Sequence, residues 1–577
     1  MNPLDTLLPP AELPTGVAGE IDNIEAEIRR FQSGELQPER FRSFRLAWGI
    51  YGQRQPGVQM IRVKIPGGVL NGGQMARLAA ISEEFSTGIS HLTTRQDVQF
   101  HYVQLDRVGD LLRRLAEVGL TTREACGNSV RNVTACPLTG FIADELFDVA
   151  PYAQAVWAYL SRNPFCQQMA RKFKIAISSC PEDCALTAIH DIGFVGRVDR
   201  AGGHRFGFRV LVGGGLGTTP FVARVLDDFV PLDDILPVTR SILKVFAAEG
   251  NRRNKMKARL KYVVHRLGIE TFRERVAEAR RNLTFEERDE ARLDLSLPDE
   301  YRAVVERHRA GNGGARPDSG SRSIPAGEEV PANGNGRGGP DPGFRSWQAS
   351  SVRPHRDPAR AVVTVLTPLG DLNAPSLRAV ARLATSYSGD EARIAAAQNI
   401  VLPNVARDRL RFLYDDLAAA GLAEAGVGSA LDVTSCPGAD TCSLGITSSK
   451  GLTREIRSEL TRLAGEIGLE ALGGVTIKVS GCPNACGQHH IANIGLHGVV
   501  KKVGGQSLPA YQVHIGGGIA QGGATIGRVA DKIVARRVPG AVAALLRTWA
   551  AGRRVDESFP DYAGRAPEEI AAALRPF

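Results

Sequence analysis

Met60 to Asn71 reads MIRVKIPGGVLN, and 302 positions later Val362 to Asn373 reads VVTVLTPLGDLN, with Pro66 facing Pro368 and Gly68 facing Gly370. The register then holds. RQDVQFHYV (Arg95 to Val103) faces AQNIVLPNV (Ala397 to Val405), and IAISSCPEDC (Ile175 to Cys184) faces IKVSGCPNAC (Ile477 to Cys486). IHDIG from Ile189 faces IANIG from Ile491, and VLVGGGLG from Val210 faces VHIGGGIA from Val513 at an offset of 303. A constant offset through strand-like, turn-like and cysteine-bearing segments signals an internal duplication.

Each copy reads as a small α+β unit followed by a larger α/β unit. Alternating β-branched runs, Gln59 to Ile65 and Val98 to Val103, flank a helix-like stretch over Gly73 to Ser86. Strands over Ile175 to Ser178 and Ile477 to Ser480 then run into cysteine turns, and the triplets Gly213 to Gly215 and Gly516 to Gly518 fall at strand ends. Between the copies, Gly311 to Gly343 is crowded with Gly, Pro and Ser, so burial cannot offset its ordering entropy and a linker is expected. A charged helical stretch, Asn251 to Arg309, precedes it. The expected boundaries are an extension over 1–43, small units over 44–115 and 346–424, larger units over 116–310 and 425–577, and the linker over 311–345.

Cysteines carry the chemistry. Cys436 and Cys442 in SCPGADTC and Cys482 and Cys486 in SGCPNACG form a C-x5-C and a C-x3-C pair, which suits four thiolates closing round a cubic iron–sulfur cluster. Zinc knuckles favour tighter C-x2-C spacing, and nine cysteines, an odd total, argue against a disulfide framework. The first copy keeps Cys136, Cys180 and Cys184 but has Ile142 where the fourth thiol would fall, so these three read as relics. Cys126 and Cys166 lack counterparts and read as incidental thiols; His489 and His490, just after the second motif, read as structural rather than as iron ligands.

Basic residues show the reverse asymmetry. Arg62, Arg95, Arg131, Lys172 and Lys174 face Thr364, Ala397, Leu431, Gly474 and Thr476. About a pseudo-twofold axis, one copy would supply electrons and the other would bind an anion. The net charge of +9 fits an anionic substrate or an acidic partner, while 6% aromatics and no basic block interleaved with them argue against nucleic acid. With no apolar stretch of membrane-spanning length and no signal-like start, a soluble cytoplasmic protein is expected.

These motifs, with IPGG, LTTRQDVQFHYV, VRNV and RKFK in the first copy, resemble the sirohaem- and iron–sulfur-containing sulfite and nitrite reductases from about Phe44 onward. The resemblance implies two ferredoxin-like half-domains joined into one unit and two larger α/β domains enclosing the cofactors. It implies that Cys436, Cys442, Cys482 and Cys486 hold a [4Fe–4S] cluster, with Cys486 also ligating the sirohaem iron. Arg62, Arg131, Lys172 and Lys174 match the residues that hold the oxyanion, and Arg95, Gln99, His101, Arg171 and Asn484 match contacts to sirohaem. Lys174 stands where the family tends to carry Lys in sulfite reducers and Asn in nitrite reducers, which favours sulfite, with nitrite the alternative; the PGADT stretch between the first cysteines departs from both branches. No GxGxxG stands between a predicted strand and helix, so electrons are expected from a separate acidic ferredoxin or a flavoprotein. A non-catalytic iron–sulfur sensor would need the cysteines but not the cations.

Overall fold

The structure is a computed structural model that describes residues 13, 15–167, 169–199, 205–295 and 341–577. The duplication appears first at equivalent helix starts. Asn71 accepts a hydrogen bond from the Gln74 N–H and Asn373 accepts one from the Ser376 N–H, capping the helices Gly72–Phe85 and Ala374–Tyr387. The flanking strands are Val58–Val63 and Val98–Gln104 in the first copy and Arg360–Val365 and Ile400–Ala406 in the second, each antiparallel pair kinked by a register shift.

Each small unit is completed by a strand from its sibling. Asp371–Asn373 adds antiparallel to Ile89–Leu92, and Val69–Leu70 adds antiparallel to Ala392–Ile394. The IPGG and TPLG turns direct this exchange through left-handed backbone at Gly67 and Gly68 and at Leu369 and Gly370. A Cβ on Gly68 would stand 2.5 Å from the Ile394 carbonyl oxygen, and one on Gly370 would stand 2.7 Å from that of Leu92, so glycine is needed at both crossings. One apolar core, including Ile61, Val63 and Phe100 with Ala361, Val363 and Leu402, runs through both small units. The two ferredoxin-like half-domains are therefore a single folding body.

Each larger unit is a five-stranded mixed sheet with the same order. The first runs Arg224–Pro231, Arg205–Val212, Ile192–Asp199, Phe173–Ser178, Val130–Ala135; the second runs Arg528–Val534, Gln506–Ile515, Ile494–Val503, Ile477–Ser480, Thr434–Ser435. The last three strands of each run are parallel and the others antiparallel. Separate apolar cores lie under each sheet, so the face away from the core is left for a site. No helix among the described residues is long and apolar enough to cross a membrane.

The charged stretch is helical as expected, and one boundary moves after it. The charged stretch before the linker is several short helices, Leu260–Leu267, Ile269–Arg281 and Phe285–Glu290, and its residues beyond 295 lie outside those described. Most of the linker also lies outside them, but Pro342 and Gly343 already belong to the helix Pro342–Ser351. Asp341 starts that helix by accepting from the Gly343 N–H, and proline at its first position is pre-set for helical backbone.

Candidate active site

The four second-copy thiols are brought together by backbone. Gly481 donates its N–H to the Cys436 sulfur at 3.2 Å, and its carbonyl accepts from Ile446 and Thr447 at 2.8 and 3.1 Å, tying the first cysteine loop to the second. Ser449 donates to the Cys436 carbonyl at 2.6 Å. Burial pushes the Cys436 thiol up to about 12, and burial likewise raises Cys442 and Cys482; the backbone and amide of Asn484 pull Cys482 the other way. Thiols held protonated in this way need a cationic centre to become thiolates, which a cluster iron provides.

The first-copy small unit clamps this loop. Arg54 donates its N–H to the Thr441 carbonyl at 2.9 Å, Gln55 donates to Asp440 at 2.8 Å, and Thr94 donates to the Cys486 carbonyl at 3.0 Å. The reciprocal contact exists. Arg356, equivalent to Arg54, donates its N–H to the Phe141 carbonyl at 2.7 Å, on the loop where the first copy has lost its fourth cysteine. Gln96 accepts from the Ala135 N–H and donates to Ile394, while its counterpart Gln398 accepts from the Ser435 N–H and donates to Leu92. These mirrored pairs define a pseudo-twofold axis between the cysteine loops.

Across that axis the basic residues gather. Arg62 and Arg131 both donate to the Ala125 carbonyl, at 3.2 and 2.6 Å, and Arg131 also reaches Gly127 at 2.7 Å. Arg62 lies opposite Gln99 in the strand pair; with its amide oxygen turned toward Arg62, Gln99 accepts from Nε at 2.9 Å and Nη2 at 2.7 Å. Arg95 is 2.8 Å from His190 Nε2 and donates to the Asn132 carbonyl. Lys172 and Lys174 flank buried Phe173, so both point away from the core and toward the cations.

Crowding is visible in the titration of these groups. Burial and then Arg259 lower Lys172, and burial and then Arg95 and Lys172 lower Lys174 well below an ordinary lysine. Burial brings Arg95 and Arg131 down to about 10, whereas Cys126, Asp97 and Cys486 outweigh burial at Arg62 and hold it up. The Cys486 sulfur acts electrostatically on Arg62, Lys172 and Lys174 and also on Cys436, Cys442 and Cys482. Cys486 therefore lies near both the other three thiols and the cations.

The other named residues divide. Arg171 adds its field at Lys172. Asn484 sits on the Cys482 thiol. His101 stands beside a polar group that joins the copies, in which Asp371 accepts from Lys450 at 2.6 Å and pairs with His91 at 2.7 Å; burial and then His91 keep His101 neutral. Composition concealed several participants. Asp97 is buried among Arg62, Arg95, Lys64 and Arg131, and Lys64 pairs with Glu124 at 3.5 Å with both side chains nearly inaccessible. Arg259 pairs with buried Asp191 at 2.7 Å, and Lys261 donates to the carbonyls of Leu216 and Thr219 beside the first glycine triplet. The last two sit in the charged helical stretch, where the K-A-R-L-K spacing was the available signal.

Polar atoms without partners mark what is missing. Arg95 Nε, Arg131 Nε, Arg259 Nε and Asn132 Oδ1 are buried with no hydrogen-bond partner in the protein. Three such guanidinium donors within one cationic cluster fit a polyanionic ligand.

The Nitrite and sulphite reductase 4Fe-4S domain matches residues 126–283 and 427–558, and the Nitrite/Sulfite reductase ferredoxin-like half domain matches 51–118 and 353–420. The chain belongs to the nitrite and sulphite reductase family. Relatives of this reductase carry both names. It is 28% identical over 550 residues to an assimilatory ferredoxin-dependent nitrite reductase of Haloferax mediterranei, covering 92% of this chain and 86% of that one. It is equally 28% identical over 545 residues to a sulfite reductase [ferredoxin] of Mycolicibacterium paratuberculosis, covering 91% and 88%. The solved structure of the Mycobacterium tuberculosis NirA protein superposes with a TM-score of 0.75 at 25% identity, covering 96% of this chain and 98% of that one. The duplicated fold of the reductase is thus that of its family.

Proposed function

We propose that this reductase converts sulfite to sulfide with six electrons drawn one at a time from a separate donor. Cys436, Cys442, Cys482 and Cys486 would hold the [4Fe–4S] cluster, Cys486 would also ligate the sirohaem iron, and Arg95, Gln99, His101, Arg171 and Asn484 would meet the macrocycle. Bound there, the cofactors would supply the electrons and the iron that receives the substrate. Arg62, Arg131, Lys172 and Lys174 bind the oxyanion and neutralise charge as it accumulates. Lys172, lowered by burial to about 8, is suited to donate protons near neutral pH as oxygen atoms leave as water.

The observation that carries this reading is the cysteine turn held against the first-copy strands that bear the cations, the Cys486 carbonyl accepting from Thr94, the residue before Arg95, at 3.0 Å. Lys174 favours sulfite, because a dianion gains more from a fourth cation than a monoanion does. Nitrite remains the second reading, supported by the equally similar Haloferax relative. The donor fits a small acidic ferredoxin, attracted by a net charge of +9, so turnover with ferredoxin should fall steeply with ionic strength while turnover with methyl viologen should not. Visible bands of the purified protein and viologen-driven turnover of sulfite and nitrite, repeated on Lys174→Asn, test the assignment. The substitution is expected to move the ratio of the two kcat/KM values toward nitrite by about tenfold or more. An unchanged ratio overturns the sulfite assignment, and absence of turnover with either anion in a protein carrying its iron overturns the enzyme.

A further inference from the structure

A second group of metal-ligating side chains lies behind the cysteine turn and belongs to neither the thiol cage nor the cationic cluster. His489, His497 and His514 each present a ring nitrogen within 4.8 Å of those of the other two. His497 Nδ1 and His514 Nε2 face each other at 2.9 Å. The rings are tilted against one another, with centroids 4.6 Å apart for His489 and His497 and 5.1 Å apart for the other two pairs. His489 and His514 are buried and His497 is half-buried.

The outer nitrogens fix the direction of the inner ones. His514 Nδ1 is 3.5 Å from the Gly527 carbonyl, which can only accept, so this nitrogen carries the proton and Nε2 keeps its lone pair. His489 Nδ1 is 2.9 Å from Ser480 Oγ, leaving Nε2 buried without any partner. A carbonyl behind His514 and a hydroxyl behind His489 are the arrangement that orients histidine toward a metal, and a bound ion would replace the contact between His497 Nδ1 and His514 Nε2, with the His497 proton moving to its other ring nitrogen. Burial, the first cause, keeps all three rings neutral, so each has one unprotonated ring nitrogen.

The fold does not demand these histidines. Gly495 lies opposite His514, as Gly193 lies opposite Leu211 in the first copy. A Cβ on Gly495 would stand 1.8 Å from the His489 carbonyl oxygen, so the turn sits directly on the sheet. At the equivalent places the first copy carries Thr187, Val195 and Leu211, and it packs the same turn on the same strands without an imidazole. Three converging histidines replace an ordinary hydroxyl and aliphatic cluster in the copy that carries the complete cysteine set.

We propose that His489, His497 and His514 bind one divalent transition-metal ion, zinc, with water as the fourth ligand reaching it past half-exposed His497. Three neutral imidazoles suit a borderline cation such as zinc, and three histidines plus water is an established zinc set. The ion ties the turn that begins three residues after Cys486 to the strands Ile494–Val503 and Gln506–Ile515. This inference stands apart from the choice of substrate.

The test uses the full-length protein with its iron in place. Metal analysis after equilibration in a zinc buffer is expected to show one zinc per chain beyond the iron. Zinc X-ray absorption is expected to show a first shell of nitrogen and oxygen at about 2.0–2.1 Å with no sulfur. The replacements His497→Val and His514→Leu, drawn from the first copy, should each lower zinc affinity by more than the 10–100-fold typical of second-shell changes, with iron content and visible absorption retained. His497→Val alone decides the matter if His514→Leu fails to fold. No zinc uptake by the parent protein, zinc retained in the histidine variants, or a sulfur shell abolished by changing Cys136, Cys180 and Cys184 to serine would each overturn the proposal.

Discussion

The turn carrying Cys482 and Cys486 and the turn carrying Cys180 and Cys184 share their backbone, with left-handed residues at Ala485 and Gln488 in one and at the equivalent Asp183 and Leu186 in the other. Their sulfurs are disposed differently. The three first-copy thiols have drawn together, all within 4.8 Å, with Cys136 and Cys180 3.4 Å apart inside an apolar cluster that includes Ile142. Among the described residues, no three of the four second-copy thiols converge so tightly. Backbone shape outlives function after a duplication because the fold needs it, whereas an open cage is kept only where a cluster fills it. The copy without a cage is also the one that carries Arg62, Arg95, Arg131, Lys172 and Lys174.

The largest expected effect comes from making the second copy resemble the first. Cys442→Ile should abolish viologen-driven turnover and strip the iron–sulfur absorption, while Ile142→Cys should add no iron, because its three partner thiols are already in contact with one another. Iron analysis of both variants checks this, and an extra cluster in Ile142→Cys would show that the first-copy cage has not collapsed. Next, Lys172→Met or Lys174→Met, which gives the first copy an uncharged residue as in the second, should cut kcat/KM for sulfite by about 10²–10³-fold without loss of iron.

A smaller effect is expected from pH. Lys172 is lowered by burial to about 8, so it is charged below that pH and neutral above it. Anion affinity should therefore weaken as pH rises through about 8, rather than near 10.5 as for an exposed lysine, and Lys172→Met should flatten this part of the profile. Titration of sulfite binding by its visible difference spectrum provides the measurement. Smallest is the cost of breaking either mirrored hydrogen-bond pair: Gln96→Ala and Gln398→Ala should each destabilise by about 1–3 kcal/mol, read from chemical unfolding. A large difference between the two would show that the pseudo-twofold contacts are energetically unequal.

Much of this was legible because duplication writes each element twice. The helix-like stretch from Gly73, the strand over Ile477–Ser480 and the missing fourth thiol at Ile142 could all be read from pattern and register. Exchange of short strands between the small units could not, since Val69–Leu70 and Asp371–Asn373 are too brief to show a period. Asp97, Asp191 and Arg259 were equally hidden, because an isolated charge in a sequence resembles any solvated one until burial pairs it.

By itself the sequence determined the repeat, the four-thiol set and the one-sided distribution of positive charge, because these reside in residue identity and spacing. Tertiary structure decided how the cysteine turn meets the strands that bear the cations, which guanidinium atoms are left without partners, and that three histidines from a turn and two strands meet. Those properties depend on distances between segments far apart in the chain, which packing about the pseudo-twofold axis sets and local pattern does not record.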